Sequence, residues 1–276
     1  MRSSSSPPVR HILWSVSPRT EIDVLLRSIS ALGAFARAHE AVIQPVFVHN
    51  LNEGGIDEAE REFGKAIGRF SEPLFIRPKV ISCAGSSVNG AVDALCDYAA
   101  LSASDVIGVS THARAGLSRM VLGSFAETLI LRSKVPVLVV NPHDLWREER
   151  VGRILVASDL DAESFGFFKR VASVASRMES SLLIYSKTDK AQHLARAKVA
   201  GLWAQEVAQA FGVAAEIMIE TGSEEVSSAI IRHASVSKCG MIALQTRSGA
   251  LKAALHGSIA RALARSAPCP LWIERA

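Results

Sequence analysis

The sequence predicts an α/β protein of two tandem domains, each a parallel, doubly wound sheet with helices on both faces. Three observations lead there. The 276 residues are too many for one small domain and suit two. Short, uninterrupted apolar runs alternate with amphipathic stretches of helical period, the pattern of strands covered on both faces. The chain also repeats itself: "VLGSFAETLILRSKVPVLVV" from Val121 and "LHGSIARALARSAPCPLWIE" from Leu255 share a Gly-Ser, an amphipathic helix and a proline-started apolar run.

The shift from 123 to 257, 134 positions, that carries Gly123 to Gly257 also carries Ser124 to Ser258, Ala126 to Ala260, Leu129 to Leu263 and Pro136 to Pro270 without a gap. In the first copy the apolar run Ile12–Val16 predicts a strand, closed by Ser17-Pro18. Apolar residues at three- and four-residue spacing predict a helix over Glu21–Ala38. A second strand follows at Ala41–His49. The acidic-basic stretch Asp57–Phe70 reads as a helix with a solvated face and a narrow apolar stripe. Lys79–Ser82 predicts a strand, Val88–Leu101 a helix and Val106–Val109 a strand. Ser124–Ser133 predicts a helix that starts at the Gly-Ser, and Pro136–Val140 the last strand. The proline stands where an edge strand loses no ladder donor. In the second copy "RILVASDLDAESFGFFKRVASVASRM" repeats the opening strand, turn and helix. The domains are therefore placed at 11–141 and 151–276. A loose tail is expected over 1–10 and a polar linker over 142–150.

Composition excludes several classes of function. Hydrophobic residues make up 49% and charged residues 21%, which supports a packed core and argues against disorder. No apolar run approaches the roughly 18 residues of a membrane span, and the start of the chain lacks a secretory signal pattern. The net charge of +4 is mild and the arginines are spread along helices, so nucleic acid is not an expected partner. Cys83, Cys96, Cys239 and Cys269 show no metal-ligand spacing and read as reduced thiols, which implies a cytoplasmic protein. The eight histidines include no His-x-x-x-His, and no metal site is expected.

In a doubly wound sheet, ligands bind at the carboxyl ends of the strands where strand order reverses. A helix N-terminus there offers free N–H groups and a positive dipole end to a phosphate. Gly123-Ser124 and Gly257-Ser258 suit that role, as glycine admits close approach and the hydroxyl caps or bonds an oxygen. A plain N-cap is the alternative. His112 is either a ligand contact or a solvated turn histidine. Asp161 is expected to cap the helix beginning near Ala162, with Asp159 facing the cleft. Trp14 and Trp272, in apolar strand runs, read as core or interface residues, and Trp203, on an amphipathic helix, as a packing residue.

The stretch "GVSTHARAGLSRMVLGSFAETLILRSKVPVLVV" resembles the C-terminal half of universal stress protein domains, and the resemblance extends over both copies, about Ile12 to Ile273. It implies a Rossmann-like fold of the adenine nucleotide alpha hydrolase-like type. In ATP-binding members a Gly-x-x-Gly and a Gly-Ser wrap the triphosphate, and an acid after the first strand supports the adenosine. Carried over, the first copy has Ser110 and Ala113 for the paired glycines, Gly123 and Ser124 as in the family, and Ser17 in place of the acid. The second has Asp159 as the acid and Gly257 and Ser258 in place. Leu244 and Arg247 replace the paired glycines there, unless a one-residue slip brings Gly249 into register.

Neither copy is complete. The resemblance implies a regulatory or ligand-sensing stress-response module with partial nucleotide binding. The alternatives are an ATP-binding protein, with Mg and slow ATPase activity, centred on Ser110, Ala113, Gly123 and Ser124, or an interaction domain without a ligand. Neither a nucleophile elbow nor a Walker motif is present, so no catalytic residue is assigned. Single-domain members pair edge to edge. The two copies are expected to pair within the chain through their proline-started strands, and a homodimer of the whole chain is possible.

Overall fold

The computed structural model describes residues 8–70, 73–110, 124–141, 151–188, 191–246 and 250–276, and only the backbone of 162, 191–193 and 250–257. The chain divides into two compact units, Val9–Asp144 and Leu145–Glu274.

In the first unit, β1 (His11–Ser15), β2 (Val42–Asn50), β3 (Lys79–Cys83), β4 (Val106–Ser110) and β5 (Val137–Val140) lie in the order β3-β2-β1-β4-β5. Every pairing is parallel, with Trp14 opposite Pro45 on one side and Gly108 on the other. Helices α1 (Ile22–His39), α2 (Ile56–Ile67), α3 (Val88–Leu101) and α4 (Ser124–Arg132) make the crossovers. The boundaries agree with the hydrophobic pattern to within a few residues. Ser87 caps α3, its hydroxyl accepting the N–H of Gly90. Ile12, Leu13 and Trp14 on β1 are fully buried, as a central parallel strand requires.

The second unit repeats this with β6 (Arg153–Ala157), β7 (Ser181–Thr188), β8 (Ala215–Thr221), β9 (Met241–Thr246) and β10 (Leu271–Arg275), ordered β10-β9-β6-β7-β8. The pairings β6–β7, β6–β9 and β7–β8 are parallel. A 3₁₀ turn (Ala162–Ser164) leads into α5 (Phe165–Arg177), and α6 (Ala191–Ala210), α7 (Val226–Val236) and α8 (Ala250–Ser266) follow. Trp203 on α6 stacks on Phe165 at 4.2 Å between ring centroids and meets Phe168 edge-on, which makes it a packing residue. Pro270 donates nothing, but its carbonyl accepts the N–H of Ile242 on β9; Pro136 does the same for Ile107 on β4.

Two expectations need correction. The loose tail does not run to residue 10. Val9 is buried, and the Asp105 carboxylate accepts the N–H groups of Arg10 at 2.7 Å and His11 at 3.0 Å, pinning the start of β1 to the start of β4. Nor does the last helix of the second unit begin at Gly257. α8 starts at Ala250 and runs through Gly257 and Ser258. The preceding "ALKAALH" is rich in strong helix formers, and one glycine, worth about 1 kcal/mol against the helix, does not set a boundary there. The expected linker, 142–150, lies outside the described residues.

Candidate ligand-binding clefts

Each unit carries a cavity at the carboxyl end of its sheet, at the switch point between the first strand and the fourth. In the first unit it measures about 190 Å³ and is lined by the ends of β1, β2 and β4 and by Phe125 and Ala126 of α4. Ser17 and Ser110 both line it. Ser17 shapes the turn after β1: its hydroxyl accepts the N–H of Arg19 and its carbonyl the N–H of Thr20. Ser110, the last residue of β4, is buried at 7% exposure, and its hydroxyl sits 2.5 Å from that of Ser28 on α1. Ser28 in turn donates to the Val24 carbonyl. The Ser110 hydroxyl therefore also ties the strand to a helix. Ser124, at the start of the described part of α4, is exposed and does not line the cavity. His112, Ala113 and Gly123 lie outside the described residues.

The second unit's cavity is larger, about 240 Å³, and more polar in its chemistry, with Ser158, Asp159, Tyr185 and Lys187 on one side and Val226, Ile230 and Leu244 on the other. The turn after β6 is held by its own side chains. The Ser158 hydroxyl accepts the N–H of Leu160 and donates to that of Ser164. One oxygen of Asp161 accepts both the N–H and the hydroxyl of Ser164. Asp161 thus caps the 3₁₀ turn ahead of α5, and Asp159 is left on the cavity wall. Leu244 also lies on that wall. Arg247 is outside the described residues, and Gly257 and Ser258 lie within α8, where Ser258 is exposed.

Sequence reading missed the groups at the β7 side of this cavity. Tyr185 donates to Glu220 Oε2 at 2.8 Å, and His233 Nε2 donates to the same oxygen at 2.9 Å. Arg232 bridges Glu220 Oε1 and Glu224 Oε2. The hydrogen bonds from His233 and Tyr185 hold the Glu220 carboxyl down to about 2. Burial, then the Glu220 hydrogen bond, raise the Tyr185 hydroxyl well above its ordinary value. The bonded pairs stand 8 to 35 positions apart in sequence, on β7, β8, α7 and the turn before α7, and no motif spacing links them. Lys187, two residues beyond Tyr185, has its ammonium shielded from solvent and without a hydrogen-bond partner among the described residues. Its charge acts on Glu224, whose carboxyl is lowered chiefly by Arg232.

Among the described residues no group of three or more His, Cys, Asp or Glu side chains is placed to hold a metal ion. Cys83, Cys96 and Cys239 are free thiols, and burial raises the Cys239 thiol to about 11, where it is a poor nucleophile.

Fold and clefts together define a tandem pair of doubly wound α/β domains, each with a cavity at its strand switch point. The universal stress protein family matches residues 85–141 and 151–275, and the chain belongs to that family. In fold it is similar to a universal stress protein from Archaeoglobus fulgidus DSM 4304, with 21% identity, 97% of this chain and 98% of that one covered, and a TM-score of 0.70. A functionally unknown protein from Pseudomonas aeruginosa PAO1 aligns over 97% of this chain and 92% of its own at 17% identity and a TM-score of 0.66. The cytoplasmic domain of a prokaryotic cation chloride cotransporter shares the fold at 11% identity, covering 96% and 94% of the two chains, with a TM-score of 0.53. No curated protein matches the chain. One fold thus serves proteins of different roles, and function must be argued from the clefts.

Proposed function

We propose that this chain is a regulatory, ligand-sensing module of the stress response, acting in the cytoplasm, in which the two clefts do different work. The observation that carries the reading is the difference between two cavities at one topological position. In the second unit Gly257 and Ser258 do not fit a phosphate cradle, because a mid-helix N–H already bonds within its helix. A nucleotide phosphate therefore belongs in the first unit, where Ser17 and Ser110 line the cavity and Ser110, Ala113, Gly123 and Ser124 stand at the family's phosphate-loop positions. The second unit's cleft, with Asp159 and Lys187 but no cradle, suits a smaller polar ligand. With neither a nucleophile–base pair nor a general base assigned, binding rather than turnover is the activity.

Calorimetric titration of nucleotide-free protein with Mg-ATP tests the nucleotide assignment. The expected result is saturable binding near one per chain, abolished by Gly123→Val and retained by Gly257→Val. Equal losses from both variants, or no heat and no thermal stabilisation, would overturn it.

A further inference from the structure

Helix α6 is turned inside out. Its buried positions, Ala197, Gly201, Ala204 and Ala208, recur every three or four residues, so the face against the sheet is made of the smallest side chains. The fit is close: a Cβ on Gly201 would stand 2.9 Å from Cγ2 of Ile217 on β8. Two larger apolar side chains of the helix, Val199 and Leu202, point the other way. Val199 is 70% exposed and Leu202 58%, and beside them Phe165, stacked on Trp203, is 41% exposed. An amphipathic surface helix normally places its large apolar residues toward the core. Here the inner face is fully used and an apolar patch remains outside, the arrangement of a helix with a second partner.

The charges on that outer face indicate which partner. Lys198 and Glu206 are exposed, and neither has an ion-pair partner among the described residues. They lie four residues before and four after Leu202, on the same helix face, since four residues return nearly one full turn. We propose that the outer face of α6 is a dimer interface between two copies of this chain, packed antiparallel about a two-fold axis at Leu202. That symmetry sets Leu202 against its own copy and Lys198 of each protomer against Glu206 of the other, satisfying both charges twice. Val199 packs beside the axis, and Phe165 extends the patch. A lipid surface is a poor match for this face: membrane-surface helices carry a predominantly basic polar side, whereas the stripe through Leu202 carries Lys198 on one side of it and Glu206 on the other. From Ala195 to Gln209 the face is about 21 Å long at 1.5 Å per residue. It is narrower than the surface of about 800 Å² per partner of a standard interface, so the dimer forms in a concentration-dependent way.

Sedimentation velocity of the full chain across a concentration series tests this. The expected wild-type result is a weight-average mass rising from monomer toward dimer, with added salt opposing the rise. Leu202→Glu removes the dimer; because the site is exposed, its circular dichroism and melting temperature stay those of wild type. Lys198→Glu and Glu206→Lys are each monomeric, since the two-fold sets like charges together. Mixing those two variants restores a dimer with two attractive pairs, and so does the double variant K198E/E206K. A wild-type chain that stays monomeric at the highest concentration overturns the proposal, and so does a dimer untouched by Leu202→Glu. If the charge variants dimerise as well as wild type, the antiparallel register is wrong. None of these outcomes depends on whether either cleft binds nucleotide.

Discussion

Replacing Arg170 by methionine isolates a buried carboxylate that ties the last strand of the second unit to its first helix. Glu274 on β10 is 3% exposed. Its Oε2 accepts from Arg170 Nε at 2.7 Å and lies 2.5 Å from Arg170 Nη2, while its Oε1 accepts the Trp272 indole N–H at 2.8 Å. Methionine keeps the stem of Arg170 but removes both contacts to Oε2. Removing one partner of a buried pair costs about 3–5 kcal/mol, because the other charge stays buried and unpaired. The Arg170 side chain is 43% exposed, so water can reach this side of the pair and the low end applies, about 3 kcal/mol. At about 2–4 °C per kcal/mol for a chain of this size, the melting temperature should fall by about 6–12 °C. The double variant R170M/E274M exchanges the pair for apolar contact and should recover most of that loss. Differential scanning calorimetry of the wild type, both single variants and the double variant gives the coupling directly. A fall of less than about 2 °C for R170M, or additive effects in the cycle, would show that Glu274 is hydrated in solution and that Arg170 does not hold it.

Two further predictions concern the second cleft. Lys187→Met keeps the aliphatic stem and removes a shielded ammonium that makes no hydrogen bond among the described residues, so it should stabilise the protein by about 1–2 kcal/mol, read as a raised melting temperature; a lowered one would show that the ammonium has a partner. The Glu220 carboxyl is depressed from 4.5 to about 2, so its contribution to stability is fully present above pH 4.5 and is lost as pH falls toward 2. Glu220→Gln should flatten the acid limb of the stability–pH curve in that window, and an unchanged limb would assign the acid sensitivity elsewhere.

Periodicity alone located the strands and helices of the first unit, because parallel strands buried on both faces must be continuous apolar runs bounded by polar turns. The 134-position repeat made the tandem organisation legible before any coordinate was known. The capping role of Asp161 was legible too, since an acid three residues ahead of a serine at a helix start leaves few alternatives. The start of α8 was misread: Gly-Ser marks a helix start only when the residues before it are poor helix formers, and "ALKAALH" is not.

The features written along the chain are therefore local and periodic: strand and helix positions, the repeat, the family, and Ser17, Ser110 and Asp159 as residues at strand ends. Tertiary structure alone decided which distant groups meet. Tyr185, Glu220 and His233 converge on one carboxylate oxygen because β7 and β8 lie side by side in register and α7 packs back beside them. The outward face of α6 was likewise hidden, because a helix with apolar residues all round does not reveal which side is inner until the sheet selects the small one. Hydrophobic burial acts through short-range pattern and is written along the chain, whereas hydrogen-bond networks and docking faces depend on which surfaces the fold brings together.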